Sequence, residues 1–224
     1  MGFSNFTFDP ERFLGFALAF ILGTTIHEFM HAYSAHLLGD DTAKQQGRVT
    51  LNPVAHFDPF GFVMGMLLAL GIGFIAWGRP VPVNPGNLKW GRRGMAIVAV
   101  AGPLSNLAFA AVLLPVYKLG LGMFPTQVTD VLLYMITLNF LLFCFNLIPI
   151  PPLDGFNILV GILPNYWTIV LEPIRRYSLP ILLGLVFVLP YAGSNVLRID
   201  LNPVSQVLFP VRILLSWVFQ VPLV

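Results

Sequence analysis

The sequence predicts an all-α polytopic membrane protein, with five or six membrane-embedded helices joined by short strand-like and broken-helix segments. Of 224 residues, 57% are hydrophobic and 10% charged, a composition of membrane-spanning chains rather than soluble domains. Apolar runs such as Phe13 to Leu38 and Met95 to Tyr117 are long enough to cross a bilayer. Between the runs lie proline-rich stretches that cannot continue a helix. The chain reads as one integral-membrane domain, residues 1–224, with its core at about 13–163 and accessory helices at about 178–222. A net charge of +2 with dispersed Lys and Arg argues against nucleic acid. The single cysteine, Cys144, sits in an apolar run, which excludes an intramolecular disulfide and reads as an inert buried thiol. The polar N-terminal stretch has no basic region before the apolar run, so the first span is expected to be its own insertion signal.

The first run carries the motif that the remaining segments surround, His27-Glu28-Phe29-Met30-His31. No proline interrupts Phe13 to Leu38, so it is expected to be helical. At ~1.5 Å per residue it is about 39 Å long, and His27 falls about 21 Å from its start, near the middle of a ~30 Å hydrocarbon slab. Residues four apart share a helix face, so His27 and His31 can offer imidazoles to one ion. Glu28 leans over the open side, where a general base for a metal-bound water belongs. Two histidines and a glutamate that merely satisfy one another are the plain alternative. Three ionisable groups within five residues of a span are costly without a function. His36 is rotated away from that face and reads as a rim residue.

Thr42 to Pro59 is a polar connection in which Arg48 to Leu51 has short-strand character. His56 and Asp58 in it read first as a loop histidine and a turn aspartate, and second as supports for a metal ligand or substrate. Gly61 to Ala76 is apolar but short for a span; it crosses, or enters and leaves on one side. Trp77 to Pro85 is extended and proline-punctuated, and Lys89, Arg92 and Arg93 follow as a basic cluster. In the Met95 to Tyr117 span, Asn106 needs a partner: an interhelical hydrogen bond, or a substrate backbone or oxyanion. Val131 to Leu147 spans again and breaks at three prolines within four residues, Pro149, Pro151 and Pro152. A broken helix at membrane depth is tolerated only where it lines protein or a cavity. Asp154, at the break, is the natural third ligand, and two histidines, a carboxylate and a water make a catalytic zinc site. It can equally cap the helix that resumes at Phe156. A loop with Glu172, Arg175 and Arg176 precedes two last apolar stretches, Leu179 to Leu189 and Val204 to Val221, expected to pack or to gate.

HEFMHA, AGPLSN and NLIPIPPLDG, in that order and at these spacings, resemble the site-2 protease family of intramembrane zinc metalloproteases. The resemblance covers roughly residues 13 to 163. GRVTLNPVAHFDPFG and WGRPVPVNP are similar to a short bacterial and archaeal branch without PDZ or nucleotide-sensing domains. It implies one Zn2+ per chain on His27, His31 and Asp154, with Glu28 as base, and cleavage of a transmembrane protein substrate within the bilayer. By the same similarity Asn106, and less directly Asn146, hold the substrate or its oxyanion. The alternative is a catalytically inactive protein that binds membrane proteins, against which the intact Glu28, His27, His31 and Asp154 argue. Four histidines are too few for a di-iron oxygenase, and a transporter leaves HExxH unexplained. The chain departs from better-known members in showing no span before the HExxH helix. Substrate capture by strand addition is expected at Thr42 to Leu51.

Charge fixes the expected orientation. If Gly61 to Ala76 does not cross, eight basic residues from Lys44 to Arg176 share one side, and Arg12, Lys118 and Arg198 the other. If it does cross, the split is seven to four, with the opposite orientation of the first helix. The positive-inside rule favours the first arrangement, with the N-terminus outside and the site expected towards the cytoplasmic half of a prokaryotic cell membrane.

Overall fold

The structure, a computed structural model, describes residues 8–70, 76–199, 213 and 216. Helix α1 spans Pro10–Leu37; Asp9 caps it by accepting from Arg12 N at 2.8 Å, and Pro10 opens it. It ends where Gly39 takes φ 100. A short turn, α2 (Thr42–Gln45), and α3 (Pro59–Ala69) follow. Then come α4 (Arg92–Gly120), α5 (Thr126–Asn146), α6 (Asp154–Ile162) and α7 (Asn165–Arg176). The last described helix, α8 (Ser178–Val196), alternates α-helical and π-helical turns.

Among the described residues four helices are long and apolar enough to cross a membrane: α1, α4, α5 and α8. The expected count of five or six is therefore four here. The expected span Val204 to Val221 lies outside the described residues. The stretch expected at Gly61 to Ala76 yields an eleven-residue helix, about 16 Å long and half a bilayer. Phe57 pairs with Gly78 in an isolated antiparallel bridge, so the chain leaves and returns at one level. The bridge favours the expectation that this stretch enters and leaves on one side.

α1, α4 and α5 pack on one another, with α6 against α4. Ala19 and Phe20 of α1 meet Met135 and Leu138 of α5, and Ala110 and Tyr117 of α4 meet Leu133 and Ile136 of α5. Fully buried Ala19, Ala32, Ala35 and Ala110 let backbones approach, the usual device where lipid removes the hydrophobic drive between helices.

Three expectations about connections are corrected. Arg48 to Leu51 forms no strand, because its tie to the chain opposite is a side chain: the buried Arg48 guanidinium donates to Arg79 O (2.5 Å) and Pro80 O (3.2 Å). Extended backbone lies at Trp77 to Asn84 instead. The presumed loop holding Glu172, Arg175 and Arg176 is α7, which accommodates Pro164 as its N-cap and Pro173 inside. The stretch Leu179 to Leu189 runs on as part of the nineteen-residue α8.

Asp40 ties the end of α1 to the extended segment. Its Oδ1 accepts from Thr42 N, Thr42 Oγ1 and Asn87 Nδ2, and its Oδ2 from Asn84 N at 2.7 Å. Burial alone would raise this carboxyl's pKa; the hydrogen bonds from Thr42, Asn84 and Asn87 outweigh it and hold it below the usual carboxylate range. Asp40→Ala should cost about 3 kcal/mol in thermal unfolding in detergent, since it strands several donors to a charged acceptor. Because the folded-state pKa is lowered, wild type should keep that margin at neutral pH. It should lose it only as pH falls below about 3.9, the unfolded carboxyl's value.

Candidate metal centre

One turn of α1 separates His27 from His31, and the Pro149–Pro152 break delivers Asp154 to them as the first residue of α6. His27 Nε2 and His31 Nε2 are 3.0 Å apart, and Asp154 Oδ2 lies 3.1 Å from the first and 3.3 Å from the second. Among the described residues this is the one group of three or more His, Cys, Asp or Glu that can hold an ion.

The far side of each imidazole decides what the near side offers. His31 Nδ1 is 2.7 Å from Val98 O, a carbonyl that can only accept, so Nδ1 carries the proton. Asn106 donates from Nδ2 to Gly23 O (3.2 Å) and to Asn139 Oδ1 (2.9 Å), which turns its Oδ1 to His27 Nδ1 at 2.7 Å. His27 Nδ1 therefore also carries a proton. Each neutral ring then points a bare lone pair at the other and at Asp154 Oδ2, a buried oxygen with no hydrogen-bond donor. Three acceptors face one another at about 3 Å with no proton between them, a repulsive arrangement that a cation resolves. Corners of a tetrahedral zinc site with bonds of about 2.0–2.1 Å are about 3.3 Å apart, so the donor set and spacing fit Zn2+.

Glycines make room. A Cβ on Gly102 of α4 would meet His31 Nε2, His31 Cε1 and His27 Cε1, so only glycine passes beneath the two rings. A Cβ on Gly78 would lie 3.2 Å from Glu28 Oε1, which sets the extended segment directly over Glu28. His27, Glu28, His31 and Asp154 share a cavity of about 620 Å³, within the usual range of about 300–1,000 Å³ for ligand sites. Val81 and Val83 line one wall, and Leu179, Leu182 and Leu183 of α8 another.

Asn106, expected either in an interhelical hydrogen bond or at a substrate oxyanion, lies in a network between helices. Both amide hydrogens and its oxygen are taken by Gly23, Asn139 and His27, the interhelical reading of that residue. Asn146 lines the cavity and donates to Leu142 O one turn back. Asp58 caps α3 through Gly61 N, and His36 pairs with Asp41 at the rim. Buried His56 donates from Nε2 to Thr50 O at 2.7 Å; burial pushes its pKa below the ordinary value, against that bond. It braces the loop. Cys144 is buried and free. The residue that sequence reasoning missed is Asn139, fully buried, which orients Asn106 and is itself fixed by donating to Met135 O. Its signal was an amide inside an apolar run.

The chain is 40% identical over 207 residues to "Putative zinc metalloprotease YwhC" of Bacillus subtilis, covering 86% of this chain and 91% of that protein. It is 30% identical over 186 residues to "Putative zinc metalloprotease Rip2" of Mycobacterium tuberculosis, covering 80% and 70%. No family model matches the chain, and no solved structure matches it.

Purified protein should carry about one zinc. Asp154→Ala and Gly102→Ala should lose it, one by removing a ligand and the other by filling the space under both rings. Asn139→Leu should weaken zinc about 10- to 100-fold, as removal of a ligand's supporting partner does. Competition with a fluorescent chelator measures all three; wild-type affinity in Asn139→Leu would show that the amide pair does not hold His27.

Proposed function

This chain belongs to the site-2 protease family of zinc metalloproteases, and we propose that it hydrolyses peptide bonds in or near transmembrane segments. The observation that carries the reading is the placement of Glu28 and the three converging ligand atoms in one cavity among helices long enough to span a bilayer. Zinc bound by His27, His31 and Asp154 would supply a Lewis acid that lowers the pKa of a water from 15.7 towards about 7 and polarises the scissile carbonyl. Glu28 takes a proton from the attacking water and passes it to the leaving amide nitrogen. Its carboxylate faces the cavity beside the ligands and is not one of them, which leaves it free for that transfer.

A substrate helix has its carbonyls hydrogen-bonded and must be drawn out before it is cut. The extended segment over Glu28 supports this. Val81 and Val83 keep their N–H groups, whereas Pro80 and Pro82 have none. The donors thus fall two residues apart on one edge, the spacing of strand pairing. Substrate reaches the cavity past α8, the least buried of the four long helices. The basic residues on the Lys44 to Arg176 side support a site towards the cytoplasmic half of the cell membrane.

Expressed with a panel of tagged single-span membrane proteins, wild type should release fragments cut within the apolar segment. Glu28→Gln should keep its zinc and cut about 10³-fold more slowly, the usual worth of a positioned base. Zinc-loaded wild type that cuts no member of the panel but retains them in pull-downs would favour the inactive binding protein instead. Ile148 and Leu182 pack in one cluster, so an Ile148→Cys/Leu182→Cys disulfide in a Cys144→Ala background should fasten α8 to the core. Cleavage should fall severalfold on oxidation and return on reduction, with zinc content unchanged.

A further inference from the structure

α7 divides into a polar and an apolar face, and its large apolar side chains are exposed. With ~100° per residue, Asn165, Thr168, Glu172, Arg175 and Arg176 fall within about 100° of arc. The opposite face carries Tyr166 (70% exposed), Trp167, Val170 and Ile174, and Ile169 (77% exposed) lies at its edge beside the polar arc, all exposed. The polar arc is what binds the bundle. Arg92 of α4 donates to Asn165 Oδ1 at 2.7 Å and to Thr168 Oγ1. Arg175 donates to Asn157 of α6 and stacks over the Phe156 ring at 5.4 Å. The contacts that tie this helix to the bundle are thus polar, and its large apolar side chains are left exposed.

Twelve residues make about 18 Å, too short to cross a ~30 Å slab. The helix nevertheless sits between α6, which begins at the metal ligand Asp154, and the membrane-spanning α8. A Tyr-Trp pair at one end and two arginines at the other are the composition of a helix lying in the headgroup layer. The turn before α4 extends the basic surface with Lys89, Arg92 and Arg93, and Trp90 beside them is 68% exposed. Trp90, Arg92, Arg93, Ile97 and Asn165 line a hollow of about 690 Å³. Among the described residues no ion pair joins Lys89, Arg93 or Arg176 to a carboxylate.

We propose that α7 and the Lys89–Arg93 turn form a bilayer-surface platform that binds anionic phospholipid. The headgroup phosphate sits in the hollow between Arg92, Arg93 and Trp90, and the acyl chains lie along Ile97 and the apolar face of α7. Charge selects the occupant: a neutral lipid or an apolar protein surface would cover the apolar face but leave Lys89, Arg93 and Arg176 unpaired. Because only Leu163 and Pro164 separate α7 from α6, the platform also limits the depth at which Asp154 sits below the headgroups.

The test uses the whole protein in phosphatidylcholine vesicles with trace spin-labelled phosphatidylglycerol or spin-labelled phosphatidylcholine. The fraction of each lipid immobilised by the protein is read from its electron paramagnetic resonance spectrum. Wild type should prefer phosphatidylglycerol severalfold, and the preference should fall as ionic strength rises. The triple variant Lys89→Gln/Arg93→Gln/Arg176→Gln, which spares the Arg92 bonds, should bring it to about onefold. Lys118→Gln/Arg198→Gln, at the other end of the bundle, should leave it intact. No preference in wild type, a preference unmoved by salt, or a preference lost with the second variant and kept with the first would overturn the proposal. If the triple variant does not fold, the wild-type salt series decides alone. A cross-link through Ile169→Cys between two copies, formed regardless of lipid, would overturn it in favour of self-association.

Discussion

Two short hydrogen bonds, His27 Nδ1 to Asn106 Oδ1 and His31 Nδ1 to Val98 O, set the chemistry of the site. Each places the ring proton on the side away from the neighbouring histidine. That leaves two bare nitrogens and a carboxylate oxygen pointing at one spot. With both rings neutral, no hydrogen bridges any pair of the three, and the spot calls for a proton or a metal cation. The HExxH spacing alone brings the rings together; α4 decides that they meet as ligands.

Much of the packing answers to that requirement. α4 must come close enough to α1 for its backbone at Val98 and its side chain at Asn106 to reach the rings, and Gly102 between them has no side chain to hold the helices apart. α5 then contributes Asn139 to orient Asn106, so all three helices of the bundle support one imidazole. The fourth partner, α6, starts only after the proline break, which brings Asp154 to the two rings as its first residue. Above the site, Arg48 and Asp40 hold the extended segment at both ends, one through Arg79 and Pro80 and the other through Asn84 and Asn87.

The convergence of His27, His31 and Asp154 was legible because its constraints are local or steric: four-residue spacing on a helix, and a lone acidic residue at a proline break inside apolar sequence. The long helices were legible for the same reason, hydropathy being a property of each run. What escaped depends on contacts distant in sequence. Nothing near Asn139 announces that it will meet Asn106, and nothing near Arg48 says that its guanidinium, rather than a strand ladder, will secure the segment opposite. α7 was hidden by Pro164 and Pro173, although Pro164 precedes the helix as its cap. Its 3.6-residue pattern is present in the sequence all the same, beside the charges of Glu172, Arg175 and Arg176. The short α3 could not be placed by length alone; the bridge between Phe57 and Gly78 was needed to show that the chain turns back.

The most direct test is zinc K-edge X-ray absorption on the purified, zinc-loaded protein. The site described here predicts four light donors at about 2.0–2.1 Å, two of them imidazoles with their outer-ring scattering. It predicts no sulfur near 2.3 Å, since Cys144 lies outside the cluster. A sulfur shell, a third imidazole, or zinc that dialyses away as readily as from Asp154→Ala would contradict the convergence of His27, His31 and Asp154 on one ion.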